Sequence, residues 1–320
     1  MIKQINNICK LYYKYNKYNK YNKINNNIIF IIMDYRKYFI TNYKIPFQQN
    51  LNYLITIPCV NREERNAINV IDKTFEGFEK SGLFSSNIKI TILLFESGSK
   101  DKSYLDFIEK YIEKYCFIKD AYDTNNIKYT KTNIDIKIIH SNFSLNGNSN
   151  THRMFLYISK IPYNSFDFVI WMDDDIFVSK NFIKNADVWI KNYANFSLFS
   201  SLYVPYNTFP IKNYNHVEHA NLPGFYGTCC TIFKPMLSLY VLPFWNDEHF
   251  EKFNYNPDAR FRDCLRKYFP HEKKICVSSP SLIDHMNIGS SIEKHKKINS
   301  GHKAKLFVGI DNDIELYNNI

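Results

Sequence analysis

Four apolar runs in the first half of the chain each stop at a polar cluster, and stretches with helical spacing lie between them. "LNYLITIPCV" (51–60) runs into "NREER", and Ile68, Ile71, Phe75 and Phe78 then fall on one helical face before Gly82. "IKITILLFE" (88–96) runs into "SGSKDKS", followed by a helix over about 101–115 with Leu105, Ile108, Ile112 and Tyr115 on one stripe. "IDIKIIH" (134–140) runs into "SNFSLNGNSN", then a helix from Thr151 to Lys160. "FDFVIWM" (166–172) runs into Asp173, Asp174 and Asp175. Strand and helix alternation of this kind predicts an α/β fold: a mostly parallel, Rossmann-like sheet with flanking helices. Ligands of such sheets bind beyond the carboxyl ends of the strands, where the polar clusters lie.

The second half is less regular. "FSLFSSLYVPY" (196–206) contains strand-forming residues, and "GFYGTCCTIFKP" (224–235) reads as a loop entering a strand. "NPDARFRDCLRKYF" (256–269) opens as a helix, with Asn256 as cap, Pro257 at the first position and Asp258 in the first turn. "KKICVSSPSLIDHMNIGSS" (273–291) reads as a strand, a Pro-marked turn and a polar loop. Three segments follow: a basic low-complexity tail over 1–45 containing "YNKYNKYNK", a single domain over 46–300, and an extension over 301–320.

Charge and cysteine content narrow the function classes. The formal net charge is +10, and residues 1–50 hold nine Lys or Arg against a single acidic residue, Asp34. The body is therefore close to neutral, unlike a specific nucleic-acid binder. Asn, Ile, Lys and Tyr have A/T-rich codons, so the 17% aromatic content makes no case for base stacking. Seven cysteines without a CxxC predict buried reduced thiols, neither a zinc framework nor a disulfide one. No apolar run reaches the roughly 18 residues of a membrane span. "IIFIIM" (28–33) is too short, and no small-residue cleavage site follows it. A cytoplasmic or otherwise soluble location is expected.

Three adjacent carboxylates repel one another and lose hydration beside a core, and a cation relieves both penalties. Mg²⁺ and Mn²⁺ take oxygen ligands and keep positions open for phosphate oxygens. In an extended segment Asp173 and Asp175 point one way and Asp174 the other. Taken alone, the run equally fits a solvated acidic turn or a helix cap.

The context resembles the GT-A glycosyltransferases. "FVIWMDDDI" is similar to their Asp-x-Asp strand, of the type "VLWLDADV". "LITIPCVNREE" (54–64) looks like the "VIIPTYNRE" first strand and loop of the large inverting families. "LLFESGSKD" (93–101) resembles "IVVDDGSTD", and "NGNSNTHRMFLYI" (146–158) resembles "NxGxaxARNxGI", with Arg153 at the arginine. "PSLIDHMNIGSSI" (280–292) is similar to the "PSLxxHxGxxSS" segment of the N-glycan branching β-1,4-N-acetylglucosaminyltransferases and their microbial relatives. Here Asn287 stands at the glycine position, and the glycine is Gly289. "GFYGTCCTIF" looks like that group's "GFxGxxF" stretch.

The resemblance implies a metal-dependent inverting glycosyltransferase that moves a sugar, GlcNAc by analogy, from a UDP-sugar donor to a glycan or other hydroxyl acceptor. It implies donor contacts from Asn61, Arg62, Glu96, Arg153, Asp173 and Asp174. It implies a Mn²⁺ or Mg²⁺ site at Asp175, Asp173 and His285. Inversion needs a base for the acceptor hydroxyl, and the family's helix pattern "DxxxxxxL" selects Asp258, with Asp263 as runner-up. One acceptor wall is expected in "NYNHVEHANLPGFYG" (213–227). Two rivals stand beside it. A sugar-nucleotide pyrophosphorylase needs a Gly-rich phosphate loop, which "CVNREER" lacks. A non-catalytic glycan- or partner-binding protein on a transferase scaffold needs no intact site.

Overall fold

A computed structural model describes residues 50–120, 128–162, 165–194, 199–204, 217–221, 229–245, 257–269, 274–286, 304 and 307–312. All belong to one compact unit, Lys44–Ile320. In chain order the elements are β1 (Asn52–Cys59), α1 (Ile71–Lys80), β2 (Lys89–Glu96), α2 (Phe107–Tyr115), β3 (Phe117–Asp120), β4 (Lys128–Lys131), β5 (Ile134–Ile139), α3 (Gly147–Lys160) and β6 (Phe168–Met172). Then come β7 (Ile176–Val178), α4 (Phe182–Asn192), β8 (Phe199–Ser201), β9 (Val217–Asn221), β10 (Cys230–Phe233), α5 (Ser238–Trp245), α6 (Pro257–Tyr268), β11 (Lys274–Ser278) and β12 (Ile283–His285).

Eight strands form one sheet in the order β5-β2-β1-β6-β10-β8-β11-β9. β5, β2, β1 and β6 are parallel neighbours. β10 runs antiparallel between β6 and β8, β11 is parallel to β8, and β9 closes the edge antiparallel. Only β9 and β10 therefore oppose the common direction, and the expected mostly parallel α/β sheet is present. The carboxyl ends of β1, β2, β5 and β6 emerge side by side, which is what the polar clusters required.

Both faces of the central strands are covered, so β6 is apolar throughout and β1 runs apolar apart from Asn52 at its start and the buried Thr56. On one face Tyr53, Ile55 and Ile57 join Ile170 and Met172 under Ile71, Phe75 and Phe78 of α1 and Ala186, Trp189 and Ile190 of α4. Buried Tyr53 remains compatible with this layer because its hydroxyl donates to Asp187 Oδ1 at 2.7 Å. On the other face Phe155 of α3, Trp171 of β6 and Phe261 of α6 meet in a triangle of rings with centroids 5.5, 5.7 and 5.8 Å apart. Phe155 is fully buried there. Truncating Phe155 to Ala is expected to lower stability by about 3–5 kcal/mol in urea unfolding; a loss below about 1 kcal/mol would show that this aromatic triangle is not a packed layer.

Several local expectations shift. Ile68, expected on the buried helix face, is 65% exposed, because α1 starts only at Ile71 and buries Ile71, Thr74, Phe75 and Phe78. The helix expected from about 101 is a 3₁₀ turn, Ser103–Leu105, followed by α2. α3 begins four residues before Thr151, because the Asn146 side chain accepts from Ser149 N at 2.8 Å and caps it. The antiparallel β3–β4 hairpin and the β7–β12 pair were not expected. Residues assigned to an extension after 300 return to the domain: Phe307 bridges Ser281, and Ala304 N donates to Asp284 Oδ1 at 2.6 Å. Of the expected acceptor wall, 217–221 form edge strand β9, while 213–216 and 222–227 lie outside the described residues.

Candidate active site

The loops after β1, β2 and β5 are tied together before any ligand is considered. Glu96, the last residue of β2, has no exposed surface. Its Oε1 accepts from Ser99 N at 2.7 Å, and Oε2 lies 3.4 Å from His140 Nδ1. Burial alone raises a carboxyl pKa, but the Ser99 and Gly98 N–H groups outweigh it and hold Glu96 below its ordinary value. Asn61 is equally occupied. Its N–H donates to Ser99 Oγ at 2.9 Å and its Nδ2 to Asp101 O at 3.1 Å, while its Oδ1 accepts from Glu63 N and Asn69 Nδ2. Glu96 and Asn61, the expected donor contacts, both brace loops through these bonds. Arg153, expected near a diphosphate, directs Nη2 to the carbonyls of Glu96 and Ile139 and to Asn150 Oδ1, closing the ends of β2 and β5.

Gly98 is the tight point of this assembly. Its φ is +80°, and a Cβ there would stand 2.1 Å from Phe143 O, which is backbone and cannot move aside easily. Gly98→Ala is expected to destabilise the domain by at least about 1–3 kcal/mol, read as a lower denaturation midpoint. An unchanged midpoint would mean that the β2 and β5 loops are not locked together.

The aspartates lie where β6 ends and β7 begins. Asp173 N donates to Cys229 O at 3.2 Å, and Met286 N donates to Asp175 O at 2.9 Å. Thr74 of α1 pins the bend from beneath: its hydroxyl donates to Asp174 O at 2.9 Å and accepts from Ile176 N at 3.2 Å. Because the chain bends here, strand alternation fails. Asp174 and Asp175 both turn to the buried Arg62, Asp174 through Oδ1 and Asp175 through Oδ2 at 2.9 Å. Arg62 comes from the end of β1 and sits between two carboxylates that would otherwise repel each other in a dry site.

His285 arrives from the far end of the sequence through β12, which pairs antiparallel with β7 so that His285 faces Ile176. The segment before it is fastened by Leu282 N to Leu202 O at 3.0 Å and Ser179 N to Leu282 O at 2.9 Å. The ring places Nε2 3.2 Å from Asp175 Oδ1. Burial works against charge on both partners. The His285 hydrogen bond and the Arg62 charge nevertheless bring Asp175 down to about 2, and Asp175 in turn raises His285. Asp174 goes the other way: burial raises it despite Arg62. Asp175, expected as the first metal ligand, has Oδ2 on Arg62 and Oδ1 facing the His285 ring.

A different trio could hold a cation. One carboxylate oxygen of Asp173, one ring nitrogen of His285 and the Cys229 sulfur lie within 4.8 Å of one another. Metal–ligand bonds of about 2.0–2.3 Å separate donor atoms by at most about 4.6 Å, so one divalent ion fits among these groups with modest closing. Cys229 is the member that the sequence did not single out. It reaches the site because β10 pairs with β6, Cys230 opposite Met172, and no spacing motif marks that pairing. Of the candidate bases, Asp263 is held by Arg262 Nε at 3.2 Å and Arg266 Nη1 at 3.6 Å. Asp258 occupies the first turn of α6, and its side chain lies outside the described residues.

No protein-family model matches the chain, and no curated protein matches it in sequence. Among solved structures it is similar to the mannosyltransferase PcManGT from Pyrobaculum calidifontis in complex with GDP-Man and Mn²⁺, at 10% identity over 79% of this chain, with a TM-score of 0.42. The chain spans 64% of that protein's length. It is also similar to 4-diphosphocytidyl-2C-methyl-D-erythritolsynthase from Anaerococcus prevotii DSM 20548, at 13% identity over 78% of this chain and 94% of the other, with a TM-score of 0.39.

Proposed function

We propose that the chain is a metal-dependent glycosyltransferase that uses a nucleotide-sugar donor at the ends of β1, β2 and β6. The observation that carries this reading is the convergence of Asp173, Asp175 and His285 from two distant segments onto one strand end. Asp173 and His285 are assigned as direct ligands of a divalent cation, with Mn²⁺ favoured over Mg²⁺ by the imidazole. Asp175 orients the His285 ring, a partner role typical of carboxylates behind ligating histidines. Arg62 neutralises Asp174 and Asp175 and keeps the bend closed. When bound, the cation neutralises charge on the departing nucleoside diphosphate.

The finer reading is a UDP-sugar donor, with GlcNAc as the sugar, and inversion at the transferred carbon. A base on α6, Asp258 or Asp263, takes the acceptor hydroxyl proton. The loop after β1 supports transfer over nucleotidyl chemistry, since it folds on Asn61 into a 3₁₀ turn, Glu63–Arg65, without a glycine cradle. The test is a screen of UDP-, GDP- and TDP-sugars with Mn²⁺, following nucleoside diphosphate release. Release from one donor, abolished by chelation, supports the proposal. Pyrophosphate release from a nucleoside triphosphate and a sugar phosphate would replace it with the pyrophosphorylase reading. No turnover and no nucleotide binding by folded protein would overturn it.

A further inference from the structure

We infer that Cys229 is a direct ligand of the cation, giving the site a carboxylate, imidazole and thiolate donor set that favours later transition ions over Mg²⁺. The inference rests on the metal-binding reading above and deepens it. Cys229 stands next to β6 in space although 56 positions from Asp173 in sequence, and its carbonyl accepts the Asp173 N–H at 3.2 Å. Its sulfur lies within 4.8 Å of both other donor atoms. Both Cys229 and Cys230 are buried, and it is the Cys229 sulfur, just before β10, that groups with Asp173 and His285.

Charge and softness argue in the same direction. An ionised Asp173 and a Cys229 thiolate together balance a divalent ion, with the thiol proton released to solvent as the metal–sulfur bond forms. Thiolate sulfur is a soft donor that suits Zn²⁺, Co²⁺ and other later transition ions, whereas Mg²⁺ demands hard oxygen ligands in a near-ideal octahedron. With Asp175 bonded to Arg62 and facing His285, the trio offers a single carboxylate, and the other two protein donors are an imidazole and a sulfur.

Titration of the full chain with Co²⁺, followed by absorption, tests this directly. The wild type is expected to develop a near-ultraviolet thiolate-to-cobalt charge-transfer band that Zn²⁺ abolishes and excess Mg²⁺ leaves intact. Cys229→Ser is expected to lose the band and bind Co²⁺ at least about 10-fold more weakly, with circular dichroism confirming the fold. Cys276→Ser, in β11, is expected to keep both. Co²⁺ bound without the band, or a band that survives in Cys229→Ser, overturns the thiolate assignment while leaving the metal reading standing. Failure of the wild type to bind Co²⁺, Mn²⁺ or Zn²⁺ overturns both.

Discussion

Arg62→Met is expected to lower the stability of the domain by about 3–5 kcal/mol, because it leaves two buried carboxylates facing each other without the guanidinium between them. Arg62 is 4% exposed, Asp175 4% and Asp174 8%, so solvent screens little of the interaction. Urea unfolding measures the loss. The double variant Arg62→Met/Asp174→Asn is expected to recover part of it, since Asp175 then retains His285 alone and the repulsion is gone. A single variant within about 1 kcal/mol of wild type would mean that the cluster is hydrated, and the bend at Asp174 and Asp175 would need another support. Added Mn²⁺ is expected to stabilise the wild type through mass action at the neighbouring seat.

Asp173→Asn should instead strike function. The carboxamide keeps the shape of the side chain and removes its charge, and Asp173 is not one of the two carboxylates held by Arg62. With the donor identified by the screen, kcat/KM is expected to fall about 10²–10³-fold, the usual loss when a positioned electrostatic group is removed at a developing charge. Stability should change little. Asp174→Asn is expected to show the reverse pattern, with weakened folding and residual turnover. If both variants lost activity equally with unchanged stability, the division between an Asp173 that faces the ligand and an Asp174 that braces the bend would be wrong.

How much of this was legible in the chain follows from where the information lies. β1, β2, β5 and β6 are long apolar runs whose polar ends sit in sequence beside them, so local pattern reveals both the strands and the clusters. The same holds for α6, which Pro257 opens as expected. The site was harder because its partners come from pairing between distant strands. Nothing near Arg62 says that it will meet Asp174, which is 112 positions away. Cys229 joins Asp173 only through the β6–β10 ladder. β7 and β12 are three residues each, too short for a periodic signal, yet their pairing sets His285 against Asp175. The assumption of strand alternation across Asp173–Asp175 failed for a local reason: Thr74 holds a bend there, and Thr74 reads as one more polar residue on an amphipathic helix. Glu96 and Asn61 lie at strand ends as their sequence positions indicate, but a sequence does not show that Ser99 and Asp101 fold back to hold them.

The central claim is that the end of β6 holds a divalent cation and a nucleoside diphosphate. A crystal structure soaked with UDP and Mn²⁺, with anomalous data collected at the manganese edge, tests it most directly. The account predicts an anomalous peak bonded to Asp173, His285 and Cys229, with diphosphate oxygens completing its coordination. A manganese peak away from these residues, or UDP bound elsewhere on the sheet, would contradict it.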